Sequence, residues 1–393
     1  MTPSARLQAA IELADQIIDA ARTSGAAADT LIARYFKTRR YAGSGDRRAV
    51  RDLVFAAVRR AGERPASGRA ALLGLAADRP ELRALFDGSP HGPAAPGEGE
   101  EGAPPGVAPA WLIDRFDPAI LPAELPALLG RAPLDLRVNR LKGTREAALA
   151  LLPQAALTRW SPVGLRLPEA LQVEQSPAWR SGLVEIQDEG SQLIGLACAA
   201  APGMNVVDLC AGAGGKTLAL AADMGGEGRI VACDTDRGRL SRLPQRAARA
   251  GAVNIETRLL DPDREAETLA DLAGLADLVV IDAPCSGTGT WRRNPETRWR
   301  ITPERLDRLV ALQARLLDLG LSLIKPGGIL VYAVCSLLAS EGRDQAAALG
   351  ARSGLVPETP PIRAGRPAGS GLLLSPAQDE TDGFFVARWR RPC

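Results

Sequence analysis

Apolar positions recur along this chain with two periods, and the change of period divides it. In residues 1–86 the spacing is helical: Leu7, Ile11, Leu13, Ile17 and Ile18 form one stripe, Leu31, Ile32, Tyr35 and Phe36 a second, and Leu53, Val54, Ala57 and Val58 a third, for which Asp46 is the predicted N-cap. Residues 87–109 are dense in Pro, Gly and Glu with hardly an apolar side chain, which predicts a linker. Residues 110–185 mix the periods: the alternation Leu134-Asp135-Leu136-Arg137-Val138 predicts a strand, 144–152 a helix, and 156–159 and 164–167 short strands, together a small α+β module. From 186 to 393 apolar runs alternate with helical stretches, the signature of a largely parallel sheet covered on both faces. Its predicted strands are 205–209, 229–233, 254–259, 278–281 and 329–334, with a long helix from Thr302-Pro303 to Ile324 and a last, antiparallel strand over Gly383–Trp389.

The organising stretch is Val206 to Thr217, where an apolar run meets Asp208 and then the turn Cys210-Ala211-Gly212-Ala213-Gly214-Gly215-Lys216. A strand, a glycine turn and a helix in that order cradle nucleotide-like cofactors. A phosphate-binding loop would need glycine where Cys210 stands, so that reading fails on spacing. Thr217 holds the third place of Gly-x-Gly-x-x-Gly, which argues against a dinucleotide. A ligand with a ribose and no pyrophosphate fits better, and S-adenosylmethionine is one. Asp234, after the second strand, stands where such folds place an acid on the ribose hydroxyls.

Composition narrows the chemistry. The 393 residues are 46% apolar, enough for two or three domains. No apolar run approaches the ~18 residues of a membrane span, and the first residues lack the apolar core of a signal peptide. The expectation is a soluble, cytoplasmic monomer with no membrane partner. The six cysteines, Cys198, Cys210, Cys233, Cys285, Cys335 and Cys393, form no Cys-x-x-Cys pair, and His91 is the single histidine, so neither a metal site nor a disulfide framework is expected. With that histidine in the predicted linker, cysteine is the expected nucleophile. Residues 1–64 hold 12 Lys/Arg against 7 Asp/Glu, the electrostatic footprint of a nucleic-acid partner.

The predicted parallel strands end beside Cys210, Asp234, Asp261, Asp282 and Cys335, at the sheet edge where ligands bind. Asp282-Ala283-Pro284-Cys285-Ser286-Gly287-Thr288-Gly289 and Val334-Cys335-Ser336 thus bring a carboxylate and two cysteines to one cofactor. That set suits methylation of a pyrimidine carbon. Cytosine C5 becomes nucleophilic only after a thiolate adds at C6, and the C5 proton must leave before the thiolate is expelled. Position alone leaves open which cysteine attacks. Cys198 and Cys233 read as buried small residues. Trp291 to Arg300, with four arginines and two tryptophans, suits phosphate contacts and base stacking around an extruded nucleotide, or else is a packed loop.

From Trp111 onward the chain resembles the Nop/Sun family of RNA cytosine-C5 methyltransferases. The resemblance rests on Leu136-Arg137-Val138-Asn139, Gln187 to Leu193, the glycine loop, Asp282 to Gly289, Arg292-Arg293-Asn294-Pro295 and Thr381-Asp382-Gly383-Phe384-Phe385. It implies a Rossmann-like α/β S-adenosylmethionine-dependent methyltransferase domain over 186–393, beside the small α+β module and an N-terminal helical domain that resembles a NusB-like RNA-binding domain. It also implies that Cys210 to Lys216 hold the methionine part of S-adenosylmethionine, Asp234 the ribose and Asp261 the adenine side, with Asp282 by the target base. Cys335 is then the nucleophile, and Cys285 assists release. The implied substrate is RNA, 16S rRNA first. A transfer RNA, or an inert fold serving as a ribosome assembly factor, are the alternatives. Gly212-Ala213 and Val334 depart from the family's usual Ala-Pro and Thr, and neither change removes a reacting group.

Overall fold

The computed structural model describes residues 1–23, 25–168 and 172–393, and its contacts divide the chain into two compact units. The first comprises residues 1–116, 122–130 and 290–303. Its helices are α1 (Pro3–Arg22), α2 (Ala28–Thr38), α3 (Ser44–Arg60) and α4 (Gly68–Asp78). Helix α1 starts where Thr2 accepts the Ala5 N–H at 3.2 Å and Pro3 supplies a preset φ. Leu7, Ile11, Ala14, Ile17 and Ile18 then bury one face in a core shared with Val50, Val54, Ala57 and Val58 of α3 and Leu72 and Leu75 of α4. Helix α3 begins at Ser44, earlier than expected, so Asp46 lies inside its first turn and is not the cap residue. Its carboxylate still accepts the Gly43 N–H at 3.1 Å, together with the terminal ammonium and Arg6.

The stretch 87–109 is tied into this unit. Ala103 N–H donates to Ala70 O at 2.8 Å, Gly106 N–H to Arg60 O at 2.9 Å, and Ala61 bridges Pro105. Ala103 joins the apolar core, Arg69 binds Glu100, and much of the remaining attachment is through backbone: a Cβ on Gly102 would stand 2.2 Å from the Gly74 nitrogen, so the two segments meet where neither has one.

The second unit comprises residues 117–121, 131–289 and 304–393. A small antiparallel sheet, in the order β2-β3-β1-β4, joins β1 (Leu134–Val138), β2 (Ala156–Leu157), β3 (Gly164–Leu167) and β4 (Val184–Ile186). Leu136, Val138, Leu165 and Val184 face its own core with Ala148 and Leu152.

Among the described residues the larger sheet has nine strands, in the order β11-β12-β13-β9-β8-β5-β6-β7, with β10 (Val356–Glu358) on β13. Strands β5 (Asn205–Asp208), β6 (Arg229–Asp234), β7 (Ile255–Leu259), β8 (Ala276–Asp282) and β9 (Ile324–Val334) are parallel neighbours. The strands β11 (Arg366–Ala368), β12 (Gly371–Leu374) and β13 (Phe384–Arg390) add an antiparallel extension. The continuous apolar runs of β6, β8 and β9 are buried, as strands covered on both faces require. Strand β5 lies between β6 and β8, so the strand order reverses there and a crevice opens at the carboxyl ends.

Candidate active site

Asp208, the last residue of β5, is followed by the glycine turn and then by the helix Gly215–Asp223. Gly212 and Gly214 have φ of +56° and +86°, and a Cβ on Gly214 would lie 2.1 Å from a Leu243 methyl, so a bare glycine is required there. The loop is held from both sides. Gly212 N–H donates to Asp234 Oδ2 at 2.7 Å, Ala211 N–H to Cys233 O at 2.8 Å, and Arg246 to Ala213 O at 2.6 Å. Arg246 is itself anchored at 2.8 Å by the buried Glu185. The other oxygen of Asp234 accepts the Asp236 N–H at 2.7 Å, so this carboxylate shapes the turn as well as lying beside it.

Lys216 runs back under the turn. Its ammonium lies 2.6 Å from Asp282 Oδ2, at the end of β8, and 5.4 Å from the centre of the Phe384 ring. Burial alone would lower its pKa, but the charge and hydrogen bond of Asp282 outweigh that and the net direction is up, so the pair is ionic. Asp208 accepts the Thr217 hydroxyl at 2.7 Å, and burial still pushes its carboxyl up to about 6.

Cys285 and Cys335 follow the adjacent parallel strands β8 and β9, and their sulfurs stand 3.3 Å apart as free thiols. The Cys285 thiol is pushed well above its ordinary value, first by its hydrogen bond to Cys335 and then by burial, with the charges of Cys335 and Glu341 adding. The two sulfurs are within hydrogen-bonding reach, and either thiol can donate to the other. Burial likewise raises Cys198, and Cys233 to about 12, in sites where each thiol faces a backbone carbonyl. The Cys210 thiol is raised by burial and by the charges of Asp208, Asp282 and Asp234.

The residues expected at the site are thus grouped unequally. Cys210 to Lys216, Asp234, Asp282, Cys285 and Cys335 all lie at the carboxyl ends of β5, β6, β8 and β9. Asp261 follows β7 on the same edge, but its carboxylate is two-thirds exposed and faces Arg264 at 3.9 Å. The tryptophans of 291–300 are turned into the protein. Trp291 and Trp299 are buried, Trp291 edge-on to Phe116 at 5.9 Å. The fully buried Arg298 donates to the carbonyls of Arg59, Ala61 and Pro295 at 3.0, 2.7 and 2.9 Å. Arg300 donates to those of Gly25 and Ala26, and Glu296 accepts the first N–H of α2, from Ala28, at 3.0 Å. Of the two readings of this stretch, the structure supports the packed loop: it caps helices of the first unit. Sequence reasoning passed over Glu341, Gln313, Ser286 and Ser336, which form a hydrogen-bonded cluster beneath the cysteines. The repeated Cys-Ser at the ends of two neighbouring strands was its one visible signal.

Residues 196–390 match the family model described as 16S rRNA methyltransferase RsmB/F. Over 288 residues the chain is 34% identical to the ribosomal RNA small subunit methyltransferase B of Salmonella typhi, an alignment covering 71% of this chain and 65% of that protein. The chain belongs to the RsmB/F methyltransferase family. It spans about 65% of the length of the curated relatives it matches. A methyltransferase homolog from Pyrococcus horikoshii is 30% identical, with a TM-score of 0.61 over 68% of this chain and 89% of that one. The crystal structure of PH0851 is 24% identical and has a TM-score of 0.76, covering 100% of this chain and 99% of that one, so its fold is similar along the whole length. Among the described residues no helix is long and apolar enough to cross a membrane.

Proposed function

We propose that this protein methylates C5 of a cytosine in RNA, 16S rRNA in the first place, with S-adenosylmethionine as donor and Cys335 as nucleophile. The observation that carries the reading is the 3.3 Å pair of thiols beside the Lys216–Asp282 ion pair, at the point where the strand order reverses. The donor's site fits this chain: the turn 211–215 presents only hydrogen or methyl side chains, and each oxygen of Asp234 accepts one backbone N–H and keeps a second lone pair for a ribose hydroxyl. When bound, S-adenosylmethionine supplies a methyl group on a positively charged sulfur. The thiolate of Cys335 adds to C6, C5 takes the methyl, and loss of the C5 proton returns the C6–S electron pair to Cys335. Cys285 lies against the attacking sulfur, where its thiol can take part in the release step. Asp282 is fixed by Lys216 and faces the base.

Charge on the first unit supports an RNA partner. Around the exposed Tyr41, the side chains of Arg34, Lys37, Arg40, Arg47, Arg48 and Arg51 reach solvent. Deleting residues 1–86 would uncover Arg298 and Trp299, so charge reversal is the cleaner perturbation. Arg40→Glu with Arg48→Glu should weaken RNA binding and flatten its salt dependence by about two units of slope, with cofactor affinity unchanged in calorimetry.

The deciding experiment separates the cysteines. Cys335→Ala should give neither product nor a covalent RNA complex, whereas Cys285→Ala should transfer the methyl and then stall as protein crosslinked to RNA on a denaturing gel. A trapped complex in Cys335→Ala instead would hand the nucleophilic role to Cys285.

A further inference from the structure

Glu341 is fully buried and takes no part in the proposed reaction, yet its carboxylate gathers donors from three segments. Oε1 accepts the Ser286 N–H at 2.9 Å and the Gln313 amide at 3.0 Å, and the same Gln313 amide donates to Pro284 O at 2.9 Å. Oε2 accepts the Ser336 hydroxyl at 2.6 Å and the Ser286 hydroxyl. Ser286 and Ser336 are the residues immediately after Cys285 and Cys335, and their hydroxyls lie 3.1 Å apart. Thr288 closes the cluster, 3.2 Å from Ser336 Oγ and accepting the Leu337 N–H at 2.8 Å. A buried carboxylate persists only where its lone pairs are used, and here four donors use them.

We infer that Glu341 is a positioning residue for the thiol chemistry proposed above: by clamping the residue after each cysteine it sets the distance and orientation of Cys285 against Cys335. A clamp of this kind is direct because each serine is one peptide unit from its cysteine, so a displacement of the serine passes to the sulfur. Gln313 carries the clamp to the helix Pro303–Leu323, giving the two loops a rigid reference. The carboxylate's charge acts in the same direction as its geometry, since it helps keep Cys285 protonated.

The test reads sulfur–sulfur geometry without RNA or cofactor. Diamide joins two adjacent thiols as a disulfide and takes up both hydrogens in becoming a hydrazine, and the Cys285–Cys335 peptide is quantified by mass spectrometry of the full chain. Glu341→Met, which keeps the volume and loses the acceptors, should slow this crosslink about tenfold or more and lower kcat by a roughly 10- to 100-fold factor, with KM for S-adenosylmethionine unchanged. Glu341→Gln, which keeps the reach and hydrogen-bonding capacity, should recover most of the crosslinking rate. Equal behaviour of the Met and Gln variants would show that the residue only fills space and would overturn the inference. Should Glu341→Met fail to fold, Ser286→Ala with Ser336→Ala leaves the carboxylate in place and must slow the crosslink. Wild-type rates there would equally overturn it. A fast wild-type crosslink with no methylation of RNA would sink the proposed function and leave the clamp standing, whereas normal turnover in Glu341→Met would do the reverse.

Discussion

Gly289 closes the loop that carries Cys285, and its environment gives a sharp prediction. Its N–H donates to Cys335 O at 3.0 Å and its carbonyl accepts the Gly383 N–H at 2.8 Å, so it is stitched to both the Cys335 end of β9 and the start of β13. A Cβ on Gly289 would stand 2.0 Å from Gly383 O and 2.6 Å from Gly383 C, where ordinary contact begins at 3.4 Å. The obstacle is backbone, so no rotamer relieves it. Gly289→Ala must part the two chains by roughly 1.4 Å. Neither glycine has a positive φ, so the effect is steric alone. A misplacement of about 1 Å near a reacting centre costs about 100-fold in rate, and overpacking of this kind costs about 1–3 kcal/mol in stability. For Gly383→Ala the added carbon meets two Leu337 methyls, which can turn aside, and the Gly289 Cα at 2.9 Å, so the backbone must give by only about 0.5 Å and the loss of rate should stay under about tenfold. The assay is single-turnover transfer of labelled methyl to 16S rRNA, paired with urea unfolding to register the stability term. If Gly383→Ala is as damaging as Gly289→Ala, or both lie within about threefold of wild type, the contact does not align the site and the reasoning fails.

Two further outcomes follow from the charges. Lys216→Met leaves Asp282 without its partner at 2.6 Å; a buried pair broken on one side costs about 3–5 kcal/mol, and because 30% of the Asp282 side chain is exposed we expect about 1–3 kcal/mol in urea unfolding, part of it recovered by adding Asp282→Asn. An unchanged midpoint would show that the pair is neutral to stability. Asp208 has a folded pKa of about 6 against an ordinary 3.8, so the folded protein holds a proton that the unfolded chain has released: this stabilisation is complete below pH ~4 and is lost as pH rises toward 6, a swing of about 3 kcal/mol. Asp208→Asn keeps an oxygen for the Thr217 hydroxyl and should flatten the stability profile between pH 4.5 and 7, which a wild-type slope in the variant would refute.

The larger sheet was legible because its strands are short apolar runs with chemistry directly behind them. The predicted strands at 205–209, 229–233, 254–259, 278–281 and 329–334 all appear, the first three within one residue at each end, the fourth lengthened to Ala276–Asp282 and the last extended back to Ile324. Hydrophobic patterning reports such runs well, because a parallel strand is buried on both faces. What it does not report is contact made by backbone. The stretch 87–109 has few apolar side chains, yet Gly102 and Gly74 bring it against α4 through atoms every residue has. The loop 291–300 misled in the opposite way. Arginine and tryptophan together suit nucleic acid, but Arg298 has carbonyls at the end of α3 to satisfy and Trp299 gives its indole N–H to Ala61 O at 3.0 Å, demands that arise only once the helices exist. The Glu341 cluster was hidden for a similar reason. Its donors lie up to 55 residues from the carboxylate in the chain, and only strand pairing brings them together.

The pieces of sequence that carry the family resemblance prove to be contact partners, and most of them meet at the start of β13. Asp382 N–H donates to the Asp188 carboxylate at 3.2 Å, and Asp188 in turn caps the helix Glu189–Cys198 by accepting the Gly190 N–H at 2.7 Å. A Cβ on Gly190 would come within 3.0 Å of the Phe384 ring, and that ring lies under the Lys216 ammonium. Gly383 binds Gly289, and Phe385 pairs in register with Val334, the residue before Cys335. An antiparallel strand inserted next to β9 therefore does more than widen the sheet: it touches Lys216 behind the glycine turn, the Cys285 loop and the Cys335 strand at successive residues. Each contact is made by a glycine, a ring face or a backbone N–H, groups whose substitution changes spacing rather than chemistry. That explains why the motif Thr381-Asp382-Gly383-Phe384-Phe385 contains no nucleophile and yet belongs to the site.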